Sequence, residues 1–237
     1  MSQENNEINE KVQDNTHAEK LELKQTESPE KPRYSMRTSI LLMVGTLIVS
    51  LVVGYVISSQ FIWKDERDRS IDATLKQRIK EVDDSPNDPN ARVQLGYIYY
   101  LKGDYSKAIE QNNIAIDLDE DHFPAYLNNA LAYLDQEKFE DALTAASTAE
   151  RLSPMDAKPK LIRGICLREL KRLDQAKEAI AEAQRLDPSN VEAVFQAGLV
   201  AEAQGDIKEA VKIFEEALSM RPTFKEAREA LDRVQGK

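Results

Sequence analysis

A spacing of 34 residues constrains this chain more than anything else in it. Ala108, Ala142, Ala176 and Ala210 follow one another at that interval, and so do Ala115, Ala149, Ala183 and Ala217. A small residue recurs in step at Gly96, Ala130, Gly164 and Gly198, and Glu120, Pro154, Pro188 and Pro222 mark the end of each period. The periods run 89–122, 123–156, 157–190 and 191–224. In the first, an apolar segment from Val93 to Leu101 is followed by Lys102-Gly103-Asp104 and a second apolar segment from Tyr105 to Leu118. Gln204-Gly205-Asp206 repeats that break in the fourth, and Glu137-Lys138 and Lys171-Arg172 fill the same offset in the second and third. Each period therefore reads as helix, short turn, helix. One such unit cannot bury its apolar face alone, so the units must stack into a continuous core.

The recurring small residues have a packing cause. Gly96 and Ala108 are expected on facing surfaces of the two helices of a unit, where larger side chains would push the axes beyond the usual ~8–10 Å. Ala115 and its equivalents are expected to do the same against the next unit. Tyr99, Tyr133 and Leu167 at one offset, and Tyr105, Phe139, Leu173 and Ile207 at another, fill the spaces between. The prolines end each second helix. Lys225 to Val234, with Ala227, Ala230, Leu231 and Val234, reads as a closing helix within 225–237.

Ahead of the repeats the chain changes character three times. Residues 1–37 are polar and too poor in apolar side chains to close a core, which predicts a disordered tail. Residues 38–63 hold no charge between Arg37 and Lys64 and contain the run from Ile40 to Ile57. About 20 apolar residues span a bilayer core, so this stretch is expected to be a single transmembrane helix, with Tyr34 and Trp63 at the interfaces. Residues 64–88 carry Ile71, Leu75, Ile79 and Val82 on one helical face and predict an amphipathic neck, ended by Ser85-Pro86-Asn87-Asp88-Pro89. Lys31, Arg33 and Arg37 precede the anchor, whereas Lys64, Arg67 and Arg69 after it are interleaved with Asp65, Glu66, Asp68 and Asp72. By count of Lys and Arg the two flanks are nearly equal, and the interleaved acids favour an N-terminus in the cytoplasm with the repeats on the extracytoplasmic side, a cytoplasm-facing adaptor being the reversed arrangement.

The net charge of −10 leaves no basic surplus for nucleic acid. With a single cysteine, Cys166, no intrachain disulfide forms. His17 and His122 are far apart in sequence, no phosphate-binding glycine loop occurs, and no nucleophile–base set can be assembled. No metal, no cofactor and no enzymatic activity are expected. Cys166 is expected in the core and His122 in a solvated link.

The pattern resembles the tetratricopeptide repeat. Leu95-Gly96, Tyr99, Gly103-Asp104-Tyr105, Ala108 and Ala115 match it in the first unit, and Tyr126, Ala130, Tyr133, Phe139, Ala142, Ala149 and Pro154 in the second. Gly164, Ala176, Ala183 and Pro188 match in the third, and Gly198, Gly205, Ala210, Phe214, Ala217 and Pro222 in the fourth. Glu120 in place of a proline, and Asn129 and Arg163 in place of leucine, depart from it. The resemblance implies an all-α, right-handed α-solenoid of four helix-turn-helix units with a C-terminal capping helix, here preceded by one transmembrane helix. It also implies a concave groove lined by the first helix of each unit. Carried over offset by offset, that groove comprises Val93, Tyr97 and Tyr100; Leu127, Leu131 and Leu134; Leu161, Ile165 and Arg168; and Phe195, Leu199 and Glu202. Val93 and Tyr97 stand where the family's carboxylate-gripping arrays carry basic and Asn residues, which argues against that variant. The resulting expectation is a membrane-anchored scaffold that binds apolar or amphipathic segments of other proteins, as an assembly or export chaperone or adaptor. The alternative is a homo-oligomeric organiser whose groove is filled by its own copies.

Overall fold

The computed structural model describes residues 36–236, with side chains placed for Thr38, 40–56 and 68–236. Apart from the helix start at Met36, the predicted tail lies outside these residues. Among the described residues the fold is ten helices. They are α1 (Met36–Asp84), α2 (Pro89–Leu101), α3 (Tyr105–Leu118), α4 (Phe123–Asp135), α5 (Phe139–Leu152), α6 (Ala157–Glu169), α7 (Leu173–Leu186), α8 (Val191–Ala203), α9 (Ile207–Met220) and α10 (Lys225–Gln235). The chain divides into two compact units, Met1–Trp63 and Lys64–Lys237.

In the first unit, every described side chain from Ile40 to Val56 is exposed. The hydroxyls of Thr46 and Ser50 donate to the carbonyls of Met43 and Leu47 at 2.9 Å, so these polar groups are satisfied within the helix. Sequence reading separates an anchor ending at Trp63 from a neck starting at Lys64; α1 instead runs through both as one helix of 49 residues. Among the described residues, no helix is long and apolar enough to cross a membrane. The transmembrane helix expected at 38–63 is therefore not supported by the structure.

In the second unit the predicted helix pairs form. α2/α3, α4/α5, α6/α7 and α8/α9 pack within units, and α3/α4, α5/α6, α7/α8 and α9/α10 pack between them. The in-step alanines close these seams: Ala108, Ala142, Ala176 and Ala210 are all fully buried, as are Ala115, Ala149 and Ala217. Gly96 faces Ala108 as expected, with the Ala108 carbonyl 3.0 Å from a built Cβ, and the tightest contact of each glycine lies one turn further along the second helix. A Cβ built on Gly96 would stand 2.6 Å from Asn112 Oδ1, on Gly164 2.5 Å from Ile180 Cγ1, and on Gly198 2.5 Å from Phe214 Cε1. Glycine is thus required where the second helix carries a large residue, and Ala130 suffices where that position is Ala146.

The breaks between paired helices share one backbone device. Gly103, Glu137, Lys171 and Gly205 occupy the same offset, and all four have positive φ, at 80°, 58°, 60° and 82°. The left-handed residue turns the chain back between the helices, a conformation that glycine adopts without the Cβ penalty. Asp104 and Asp206 then cap α3 and α9 by accepting from the backbone N–H of Lys107 and Glu209.

Candidate partner-binding face

Successive first helices touch one another: α2 with α4, α4 with α6, α6 with α8, and α8 with α10. Second helices of successive units do not meet in this way among the described residues. The first helices α2, α4, α6 and α8 thus lie side by side and present one continuous face.

The twelve groove residues divide by burial. Val93, Leu161 and Phe195 lie in the core: Val93 packs with Ala115 and Ala125, and Phe195 with Phe214 and Phe224 at ring separations of 5.8 and 5.0 Å. Their role is to set the floor of the face. Leu127, Leu131, Leu134, Ile165 and Leu199 are half-buried and form an apolar row across α4, α6 and α8. Tyr97 is the open one, 45% exposed, with its ring stacked on Tyr100 at 6.1 Å and an interplanar angle of 19°. Tyr100 in turn lies 5.8 Å from Tyr105. Burial, and then the hydrogen bond its phenol donates to Asp135, hold Tyr100 protonated well above the ordinary tyrosine range.

The two charged groove residues are engaged within the chain. Arg168 pairs with Glu169 at 2.7 Å. Glu202 receives both arms of Arg233, from Nε and Nη2, each at 2.8 Å. This bidentate pair places a salt bridge from α10 at the C-terminal end of the row. Arg233 and the aromatic support from Tyr105 are absent from the offset-derived set. Arg233 stands one further period beyond Leu199, so extending the count past the fourth unit finds it.

Other polar groups serve the stack. Lys160 bridges Glu150 and Glu182 at 2.7 and 3.3 Å, and Arg163 bridges the same pair at 2.9 and 3.3 Å, joining α5, α6 and α7. The hydrogen bond to Glu150 is the main cause that raises the Lys160 pKa. His122 is buried, correcting the expectation of a solvated link; its Nδ1 lies 3.1 Å from Asp119 Oδ2 at the entry to α4. Cys166 is in the core as expected, and burial pushes its thiol up to about 12.

Two family models match the chain. The tetratricopeptide repeat model covers residues 127–191 and 167–223, and that of anaphase-promoting complex, cyclosome, subunit 3 covers residues 75–149, starting inside α1. The chain belongs to the tetratricopeptide repeat family. Among curated proteins it is similar to the CTR9 homolog of Arabidopsis thaliana, 30% identical over 115 residues, which is 48% of this chain and 10% of that protein. It is also similar to the STIP1 homolog of Dictyostelium discoideum, 33% identical over 95 residues, 40% of this chain and 17% of that one. The chain thus spans less than a fifth of these relatives. Among solved structures it resembles MamA residues 41-end from Desulfovibrio magneticus, with TM-score 0.60, 22% identity, and 67% of this chain and 89% of that one covered. It also resembles YrrB, described as a TPR protein with an unusual peptide-binding site, with TM-score 0.56, 19% identity, and coverage of 67% and 82%. At these identities the structures establish the shared fold.

Proposed function

We propose that this protein is a membrane-held scaffold that binds an apolar or amphipathic segment of another protein along the first-helix face of its repeats. The observation that carries the reading is the open, stacked Tyr97–Tyr100 pair beside the row of half-buried leucines on α4. Rigid aromatic and aliphatic side chains held part-exposed on a fixed face offer contact area at little cost in lost rotamer freedom. Recognition would rest on that surface and on shape, with no covalent step and no cofactor. Such a face suits an assembly or export chaperone, or an adaptor, that holds a client segment until its proper partner takes over.

Membrane attachment would come from residues 38–63. Its support is the absence of charge between Arg37 and Lys64, the exposure of every described side chain from Ile40 to Val56, and the internally bonded hydroxyls of Thr46 and Ser50. With the N-terminus in the cytoplasm, the repeats would face the extracytoplasmic side. Alkaline extraction of native membranes should leave the full-length chain in the pellet, and a proximity label fused at Lys237 should mark extracytoplasmic proteins. Release into the wash would remove the anchor, and cytoplasmic labelling would reverse the topology.

The groove itself is tested by Tyr97→Ala combined with Leu131→Ala. Loss of most labelled neighbours, with helicity unchanged, is the expected result. An unchanged set of neighbours would overturn the assignment of the face.

A further inference from the structure

The first helices differ from unit to unit at two offsets. Leu95, Asn129, Arg163 and Ala197 share one, and Tyr99, Tyr133, Leu167 and Ala201 share the other. At about 3.6 residues per turn, Ala197 and Ala201 lie on the side of α8 opposite Phe195, Leu199 and Glu202. The first three units place at least one long side chain at this pair of offsets, and the fourth places two alanines. In the first two units the second offset holds an aromatic ring that meets the helix following it. The Lys107 ammonium lies 5.3 Å from the centroid of the Tyr99 ring. Burial, and then the charge of Asp141, hold the Tyr133 phenol above the ordinary tyrosine range. Lys107 and Asp141 share their offset with Glu209. The fourth unit thus keeps a charged residue beside the position and lacks the ring.

The neighbouring helices leave this space open. A cavity of about 190 Å³ is floored by Ala197, Val200 and Ala201 of α8, with Ala181 of α7 and Ile213 of α9 as apolar walls. An apolar cavity of about 150 Å³ takes up benzene, so this one has room for an aromatic ring and a short arm. Its rim is charged: Asp206 and Glu209 stand at the start of α9, and Lys177 stands on α7. Gln204, also on the rim, donates to Asp174 at 3.1 Å. Three carboxylates against one ammonium favour a cation. Their present contacts leave them able to accept one. Asp206 accepts the Glu209 N–H at 3.2 Å, and Glu209 pairs with Lys212 at 3.8 Å. Asp206 and Glu209 are exposed, and an ionised carboxylate has about four lone-pair sites.

We propose that this cavity binds a small aromatic amine. The ring lies on Val200 and Ala201, where the first two units carry Tyr99 and Tyr133, and the ammonium reaches Asp206 and Glu209. The size of the cavity sets the ring and short arm, and the charge of the rim sets the amine. The site is on the side of α8 opposite the first-helix face, so it is independent of the partner-binding reading above.

The test uses the full-length chain in detergent and tryptamine as the probe, with binding read by saturation-transfer NMR on the indole protons. Indolepropionate carries the same ring with the opposite charge and should bind about 3-fold more weakly or less. Ala201→Tyr restores the ring of the first two units and should remove tryptamine binding. Ala197→Leu, which copies Leu95, should do the same, and both should keep the helicity of the wild type. Asp206→Asn with Glu209→Gln should erase the preference for the amine; it alters exposed positions and keeps a capping side chain before α9, so it reads even if a plug disturbs the fold. Tyr97→Ala with Leu131→Ala should leave tryptamine binding unchanged. No binding to the wild type, binding that survives both plugs with helicity retained, or loss of binding in the Tyr97 and Leu131 variant would overturn the proposal. So would equal binding of indolepropionate. Tighter binding of a lysine-tryptophan-lysine tripeptide blocked at both ends would assign the cavity to a side chain of a partner protein and overturn the small-molecule reading.

Discussion

The side-chain amide of Asn112 donates to the side-chain oxygen of Asn129 at 3.0 Å between two fully packed helices, α3 and α4. Asn129 passes the bond on to the exposed Asn113 at 2.8 Å. The other units fill these two offsets with Ala146 and Arg163, Ile180 and Ala197, and Phe214 and Leu231. The first seam is the one built on amides, and it shows how a repeat keeps its geometry while changing its chemistry. Replacing Asn129 by Ala strands a buried donor on Asn112 and should cost about 1–3 kcal/mol. Asn112→Ile with Asn129→Ala copies the third seam and removes both polar partners, so it should lie within about 1 kcal/mol of wild type. Urea unfolding followed by circular dichroism measures both.

The left-handed turn position separates residue identity from contact. Gly103 and Gly205 meet nothing within 4 Å of a built Cβ, so substitution there acts through backbone strain alone. Glu137 and Lys171 already carry that strain at φ of 58° and 60°. Glu137→Gly and Lys171→Gly should each stabilise the array by about 0.5–1 kcal/mol, since relief of the left-handed penalty exceeds the added freedom of the unfolded chain. Gly103→Ala should destabilise by about 1 kcal/mol. The shifts in denaturation midpoint should carry opposite signs.

Gly198 and Phe214 form a coupled pair. A methyl on Gly198 would sit 2.5 Å from the Phe214 ring, which is fully buried and has nowhere to move. Gly198→Ala should cost about 1–3 kcal/mol through overpacking. In a Phe214→Ala background, itself costly through the cavity it leaves, the glycine substitution should cost nothing. A double-mutant cycle reads this difference directly.

Cys166 reports on opening of the stack. Burial raises its thiol from about 9 to about 12, so the folded state holds it neutral where the unfolded chain would ionise it. Its contribution is intact below about pH 9 and is lost as pH rises toward 12, because the unfolded state then binds fewer protons. The loss is at most about 1.4 kcal/mol per pH unit for one group. Relative to wild type, Cys166→Ala should flatten the fall in stability across that window. At pH 8 the native thiol should resist alkylation until denaturant opens the array.

Fold and site were legible in the sequence to different depths. The helix pairs and their small-residue seams could be read because one packing solution repeats, so each position is tested four times by its equivalents. The partner of each small residue was less legible. Gly96 does face Ala108, but the tightest contact at each glycine is one turn on, at Asn112, Ile180 or Phe214, whose varied sizes leave no repeated signal. In the groove, offset alone could not separate floor from surface. Val93, Leu161 and Phe195 share an offset with the half-buried Leu127 but are drawn into the core. The anchor–neck boundary was read from polarity, yet polarity does not break a helix, and α1 continues through it. The end of α1 keeps the period but lacks its signature alanines, with Thr74 and Glu81 standing at their offsets.

Photo-crosslinking from the full-length chain in its native membrane tests the central claim most directly. A benzophenone side chain is placed at Tyr97 or Leu131 on the first-helix face, and at Lys212, 75% exposed on α9, as the comparison. Discrete protein adducts from the first two positions and none from Lys212 are the expected result. Adducts of equal yield from Lys212, or none from Tyr97 and Leu131, would contradict a partner bound along the first-helix face.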